Sequence, residues 1–384
     1  MDFHIAEIDL DSPADADPSR IWEGILSLQI EDAMAAFGYT DLVETDIAAH
    51  LARLRGAKDT RHLPLLALAG PAPEQGARRV VRATGDTDVA GEDVLAQMWV
   101  EVPLLDNEHL GYVDLMVRIA HRRQGIGAAL VREAESILRA HDRTTALSWN
   151  IVSAALVETD DDRPGTLLDP SGTIRIRTDD RDVRFALAHG FSFSQAERHS
   201  VQPLPVAEDV LARALAEAEA KAQGYELVQF LGAPSEDLLQ GLTHLYEAMA
   251  TDPPLGAVDW RPEVWDEERV RRTYSLMTVG RDVYTTLVRH IATGEIVGYT
   301  QLKGPHEKPE VVYQENTIVL GPHRGHGLGL WLKAANCAWI QRDRPSSRRV
   351  HTWNADENDY MLDINTRLGY RRESIAAAWQ KVLA

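Results

Sequence analysis

The feature that most constrains this chain is an internal duplication. HRRQGIGAALV at residues 121–131 and HRGHGLGLWLK at residues 323–333 carry a His-Arg pair, spaced glycines and the start of an apolar helix in the same order. Arg122 and Arg324 stand 202 positions apart, close to half of the 384-residue chain. At that offset YVDLMVRIAHRRQGIGAAL lies over QENTIVLGPHRGHGLGLWL, apolar strand over apolar strand. Farther on, ALSWN at 146–150 resembles VHTWN at 350–354, and HGF at 189–191 resembles LGY at 368–370. Landmarks matched in order imply two copies of one domain, and the length already exceeds what a single core usually sustains.

Between the copies, PVAEDVLARALAEAEAKAQG spans residues 205–224, with Leu and Val at helical spacing and Gly224 as a C-terminal cap. The expected organisation is a first domain over 1–204, a connecting helix over 205–224 and a second domain over 225–384. Each copy reads as an opening strand, one or two amphipathic helices, two strands, then a strand, glycine loop and helix. A strand ending in Trp-Asn, a further helix and a closing strand complete it. The expected fold class is α/β, with a mixed, partly parallel twisted sheet flanked by helices in each copy. The acidic, Pro- and Gly-containing stretch at about 157–180 has no counterpart in the second copy and reads as a surface insertion.

A strand that stops at a glycine-rich turn before a helix leaves the first helical N–H groups pointing outward, at the positive end of the helix dipole. Such a turn suits a phosphate or diphosphate, because glycine adds no Cβ and tolerates positive φ. Plain packing of a strand–helix turn is the competing account. Neither loop carries the Lys-Ser/Thr of a P-loop, and neither has the third glycine of a Rossmann fingerprint. Both carry Arg-x-x-Gly-x-Gly. In that frame Gly325 reads as incidental, since its counterpart is Arg123.

Arg-x-x-Gly-x-Gly after a strand, a Trp-Asn strand and a helix ending in Leu-Gly-Tyr, as in TWNADENDYMLDINTRLGY, together resemble the GNAT acyltransferase superfamily. The tandem arrangement is similar to that of mycothiol synthase. The resemblance implies acetyl-coenzyme A as cofactor. In the second copy it implies contacts from Thr317, Ile318, Val319 and Leu320 on the strand, from Arg324, Gly325, His326, Gly327, Leu328 and Gly329 in the loop, and from Asn354, Asn358 and Met361 beyond. In the first copy it implies Met116, Val117, Arg122, Arg123, Gln124, Gly125, Ile126, Gly127 and Asn150. Because the first copy's downstream helix is degraded, the C-terminal copy is expected to be catalytic.

Acyl transfer to an amine needs a base, a polarised carbonyl and protonation of the departing thiolate. Glu315 on the strand is the candidate base, with a solvated strand-edge carboxylate as the alternative. The first copy has Val113 at the matching position and Asp114 beside it. Asn365 occupies the place where relatives carry a tyrosine acid, and Ala186 occupies it in the first copy. Trp260 and Trp265 would either wall an acceptor pocket or pack in the core. The expected activity is N-acetyl transfer to a primary amine of a small acceptor; the alternative is a catalytically silent coenzyme-binding or scaffold protein.

The net charge of −19 disfavours nucleic acid and anionic lipid and favours a cationic partner. Solubility alone would explain the same balance. Cys337 is the single cysteine, so no intrachain disulfide forms, and no metal is expected at the histidines flanking Arg324. No apolar run is long enough for a membrane span, and the acidic N-terminal stretch lacks the character of a signal peptide. The cytoplasm is the expected compartment, with monomer and homodimer both open.

Overall fold

The protein is described by a computed structural model covering residues 2–72, 78–153, 157–158 and 164–383. In chain order the first copy contains β1 (Phe3–Asp9), α1 (Ile21–Phe37), α2 (Ile47–Gly56), β2 (Thr60–His62), β3 (Leu65–Ala69), β4 (Arg79–Arg82), β5 (Val94–Pro103), β6 (Leu110–Val117), α3 (Ile126–Ala140) and β7 (Thr145–Ser153). There follow β8 (Val157–Glu158), β9 (Thr166–Leu168), β10 (Arg175–Arg177), α4 (Arg181–Ala188) and β11 (Ser192–Pro203). The rest comprises α5 (Glu208–Lys221), β12 (Tyr225–Leu231), α6 (Glu236–Met249), α7 (Glu267–Met277), β13 (Arg281–His290), β14 (Ile296–Pro305), β15 (Val311–Val319), α8 (Leu328–Asp343), β16 (Arg349–Ala355), α9 (Asp359–Arg367) and β17 (Arg371–Val382).

The chain forms two compact units that are discontinuous in sequence. Unit 1 is Met1–Asn150, Thr178–Phe193 and Ala378–Ala384; unit 2 is Ile151–Arg177 and Ser194–Ala377. A single cut near residue 204 does not describe this division, because residues 151–177 and 194–204 fall in unit 2 and residues 378–384 fall in unit 1. The stretch at 205–224 is helical as expected, but α5 belongs to unit 2 and packs against α8 through Leu211, Ala214 and Ala218. Of the insertion at 157–180, residues 159–163 lie outside the described residues. Its remainder includes β8, β9 and β10, which form a three-stranded antiparallel sheet.

Each unit is built on a mixed sheet. In unit 1 the order runs β7-β6-β5-β3-β1-β4, with β2 also on β5. Neighbours are antiparallel except β6 with β7 and β1 with β4. In unit 2 the order runs β12-β13-β14-β15-β16-β11, antiparallel except β15 with β16. The central parallel pairs are short. β6 and β7 pair only at Leu110↔Thr145, Gly111↔Ala146 and Tyr112↔Leu147, and β15 and β16 only at Val311↔Arg349, Val312↔Val350 and Tyr313↔His351. Beyond those pairs the strands part, which leaves a cleft between β6 and β7 and another between β15 and β16.

The helices cover the sheets through apolar stripes at helical spacing. α1 buries Ile21, Trp22, Ile25 and Leu28, and ends at Gly38 in the left-handed conformation. α3 buries Ile126, Leu130, Val131, Ala134 and Leu138. α8 is buried almost all round, including Asn336, which bonds Tyr284 O and Thr286 Oγ1 on β13. Among the described residues no helix is long and apolar enough to cross a membrane.

Candidate functional site

The two glycine loops are the same structure built twice. After β6 a short turn at Ile119–His121 leads through Arg122 to Gly125, which caps the N-terminus of α3 at φ 85°. After β15 the turn at Gly321–His323 leads through Arg324 to Gly327, which caps α8 at φ 71°. In both loops the cap is followed by a helix with no side-chain N-cap, so its first amides stay available.

Arg122 and Arg324 are both bound in place beside this cradle. Arg122 Nε donates to Val117 O at 2.8 Å, and a terminal nitrogen meets Asp32 at 2.6 Å. Arg324 Nε donates to Val319 O at 2.9 Å, and a terminal nitrogen meets Asp252 at 2.6 Å. Each arginine clamps its loop to the last residue of the preceding strand and to an acidic residue. That arrangement fixes where the helix amides point.

The glycines divide their work. Gly125 and Gly327 supply positive φ, and so does Gly325 at φ 85°. Gly325 is therefore not incidental: its counterpart Arg123 takes the same left-handed conformation at φ 65°, which a side chain adopts at a cost. Gly127 and Gly329 are needed for packing. A Cβ on Gly127 would meet the Phe185 ring of α4 at 3.2 Å, and one on Gly329 would meet Ile364 of α9 at 3.1 Å. These positions hold the following helix against the loop.

The clefts hold buried amide atoms with no partner. Asn150 Oδ1 accepts from Trp379 Nε1, and its Nδ2 is buried and unbonded. Asn365, 2% exposed, donates to Asn354 Oδ1 at 2.7 Å, while its own Oδ1 is buried and unbonded. Unpaired buried polar atoms are costly, so such atoms mark places where a ligand's amides can bind. They fit a coenzyme whose arm carries amides and whose diphosphate meets the glycine loop. Thr317, Ile318, Val319 and Leu320 follow the point where β15 leaves β16, and Met116 and Val117 do so on β6. Asn358 has a different employment: its Oδ1 caps α9 by accepting from Met361 N–H at 3.2 Å. Met361 is buried behind that cap.

The space between the first two helices and the sheet differs between the two units. In unit 1 the space between α1, α2 and the sheet is an open cavity of about 230 Å³, lined by Trp22, Ile25, Gln29, Glu44, Ile47, His50, Leu54, Trp99, Glu101 and Asp114. Trp99, Glu101 and Asp114 also line a second hollow of about 380 Å³ with Tyr112, Val113 and Trp149. Tyr112 and Trp149 stack across the mouth of the β6–β7 cleft, with centroids 6.1 Å apart. Asp114 thus stands where the cleft meets the cavity. Surrounding protein is the main cause that lifts its carboxyl to about 6, and the neighbouring charges of Asp32 and Glu101 lift it further. Its side chain is open to solvent, through the hollows that it lines.

In unit 2 the same region is filled. Tyr246, Tyr274 and Tyr299 are buried between α6, α7 and β14, with Trp265 stacked on Tyr246 at 4.4 Å. Burial pushes the hydroxyls of all three tyrosines up. Gln301 fastens the cluster, donating to Tyr274 Oη at 2.8 Å. Trp265 therefore packs in this cluster, and its face carries Arg269 at 4.1 Å. Trp260 lies outside regular secondary structure, in the segment before α7.

Glu315 is paired with Lys303 at 3.2 Å. It sits at a bulge, where the β14–β15 register shifts between Thr300 and Leu302. Gln314 ties that bulge to Thr300, Gln301 O and Glu315 O. The aligned β5–β6 ladder has no such shift.

Sequence reasoning did not single out Trp22, Glu44, His50, Trp99 or Glu101 as a site. A signal existed in the duplication itself. At an offset of 202, Trp99 faces Gln301, Glu101 faces Lys303 and Asp114 faces Asn316. Trp99, Glu101 and Asp114 are thus replaced by amides and a base, while Val113 faces Glu315.

Residues 75–159 match the acetyltransferase (GNAT) family model. A tandem GNAT protein from the clavulanic acid biosynthesis pathway, solved without AcCoA, matches over 100% of this chain and 99% of its own, with TM-score 0.70 and 23% identity. A GCN5-related N-acetyltransferase from Sphaerobacter thermophilus matches over 99% of this chain and 96% of its own, with TM-score 0.58 and 15% identity. A glucosamine N-acetyltransferase region of a fungal multi-domain GH3 β-N-acetylglucosaminidase reaches TM-score 0.55 at 14% identity, over 98% of this chain and 38% of that one. By sequence, no curated protein matches. The fold of the whole chain is that of tandem GNAT proteins.

Proposed function

Since this chain is a tandem GNAT-fold protein whose residues 75–159 match the GNAT acetyltransferase family, we propose that it is an acetyl-coenzyme A-dependent N-acyltransferase. It moves an acetyl group to a primary amine of a small cationic acceptor, whose nitrogen attacks the thioester directly. The observation that carries this reading is the repeated constellation of diverging strands, arginine-clamped glycine loop and unpaired buried amide. Bound there, the coenzyme supplies an activated acyl thioester. The protein's part is to hold the diphosphate on the helix amides, to engage the arm through Asn150 or Asn365, and to keep the acceptor next to the cleft.

Release of free thiol against a panel of primary amines tests the reading. Amine-dependent release is expected. Coenzyme binding without turnover on any amine would overturn it in favour of the silent coenzyme-binding alternative. Titrating acetyl-coenzyme A into Gly125→Val and Gly327→Val separately assigns the binding to one loop or both, since a side chain at positive φ distorts the cradle.

A further inference from the structure

We infer that the two copies have divided the work: unit 1 alone takes the acceptor, an organic ammonium with a flat apolar body, held between Asp114, Glu101 and the Trp22–Trp99 wall. This rests on the acyltransferase reading and adds both the place and the chemistry of the acceptor.

The wall is preformed. Trp22 and Trp99 stack with centroids 6.4 Å apart, and His50 meets both rings edge-on at 5.9 and 5.6 Å. Trp22 is held by an Nε1–H bond to Ala83 O. Aromatic faces attract cations as well as apolar groups, which suits a ligand bearing both. The carboxylates lie at different depths of engagement. Glu44 is taken by Arg53, and Glu101 has His62 at 3.4 Å. Asp114 receives a backbone hydrogen bond from Leu115, and among the described residues it forms no ion pair. A cation entering this cavity gains most at Asp114, the residue shared with the cleft.

Unit 2 differs at these positions. The residue aligned with Glu101 is Lys303, which is ion-paired with Glu315 at 3.2 Å, and the residue aligned with Asp114 is the neutral Asn316 at the β15 bulge. The space itself holds Tyr246, Tyr274 and Tyr299. Unit 2 keeps the glycine loop and carries this buried tyrosine cluster beside it.

The test uses the full chain, without coenzyme, titrated with phenethylamine, benzylamine and cyclohexylamine at millimolar concentrations while tryptophan fluorescence and heat are recorded. At least one amine is expected to bind, and its neutral alcohol analogue at least tenfold more weakly. Asp114→Asn should weaken amine binding at least tenfold while leaving the near-ultraviolet circular dichroism and the coenzyme titration unchanged. Tyr299→Phe in unit 2 should leave amine binding unaltered. Amine affinity should also fall as pH drops through about 6, where Asp114 takes up a proton. The titratable groups around it are Asp32 on α1, Glu44 before α2, His50 on α2 and Glu101 on β5, so the Asp114→Asn variant identifies which part of the profile is its own.

Binding by none of the amines, equal binding of amine and alcohol, or an unaffected Asp114→Asn would each overturn the inference. If amine-dependent thiol release then persists, the acyltransferase reading stands without it. If amines bind but no thiol is released, the reading of the reaction fails and the cation site remains.

Discussion

Two loops in this molecule are nearly identical, and the regions beside them are not. The arginine clamp, the left-handed cap and the packing glycine recur in units 1 and 2 down to the same strand-end carbonyl. Yet the space between the first two helices and the sheet is lined by acidic and aromatic residues in one and holds a packed tyrosine cluster in the other. A loop that binds through backbone amides tolerates few changes, because its shape is its function. A side-chain-lined cavity is remade by a handful of substitutions, so duplicated copies diverge there first.

The largest expected effect comes from emptying the filled side. Tyr299→Ala removes a fully buried ring and should cost ~3–5 kcal/mol of unfolding free energy. Trp99→Ala borders an existing cavity and should cost clearly less, ~1–2 kcal/mol. Denaturant unfolding of the two variants reads the difference. Equal costs would mean that the unit 1 cavity is as tightly packed as its counterpart.

A second contrast lies on the helices after the loops. Lys333 on α8 is 2% exposed, whereas the aligned residue on α3 is Val131. Burial lowers the lysine from its ordinary 10.5 to about 7, and its nitrogen lies over the Tyr370 ring at 5.1 Å. The unfolded chain binds this proton up to pH 10.5 and the folded chain only up to about 7. Stability therefore rises with pH across that window, and the penalty is fully present below it. Lys333→Met should raise stability at pH 7 by ~2–4 kcal/mol, an advantage that fades toward pH 10.5. Melting curves at several pH values check both the sign and the window.

Smaller again are the clamps. Arg122→Ala and Arg324→Ala each remove a strand-end hydrogen bond and an ion pair, at ~1.5–3 kcal/mol apiece. Coenzyme titration of the pair sharpens the comparison. Weakened binding in only one variant assigns the coenzyme to that copy, whereas equal weakening assigns it to both. The smallest effect belongs to the left-handed position. Arg123→Gly should stabilise by up to ~1 kcal/mol, and Gly325→Ala should destabilise by a similar amount. A calorimetric scan that found no difference would mean that Arg123 carries no strain.

Much of the fold was legible because its signals are local. The offset between Arg122 and Arg324, the apolar runs before them and the helices after them describe elements that the structure contains. The glycine pattern was legible as a loop, but the job of each glycine was not. Gly125 and Gly127 look alike in sequence. One is needed for its φ, the other because Phe185 stands 3.2 Å from where a Cβ would be. The downstream helix of the first copy, weaker in pattern, suggested a disabled unit. The cavity was not legible in that way, because its lining comes from α1, α2, β5 and β6 and is scattered from Trp22 to Asp114.

By itself the sequence determined that this chain is a duplicated α/β protein with a glycine-rich strand–helix loop in each copy, because periodicity, turn residues and repeats act over a few neighbouring positions. Only the tertiary structure decided how the segments divide between two units, which arginine contacts which acid, and which copy keeps an open acidic cavity. Those outcomes depend on which side chains meet across elements far apart in the chain, and on whether the space between them is filled. Volume and charge of that kind exist only after packing.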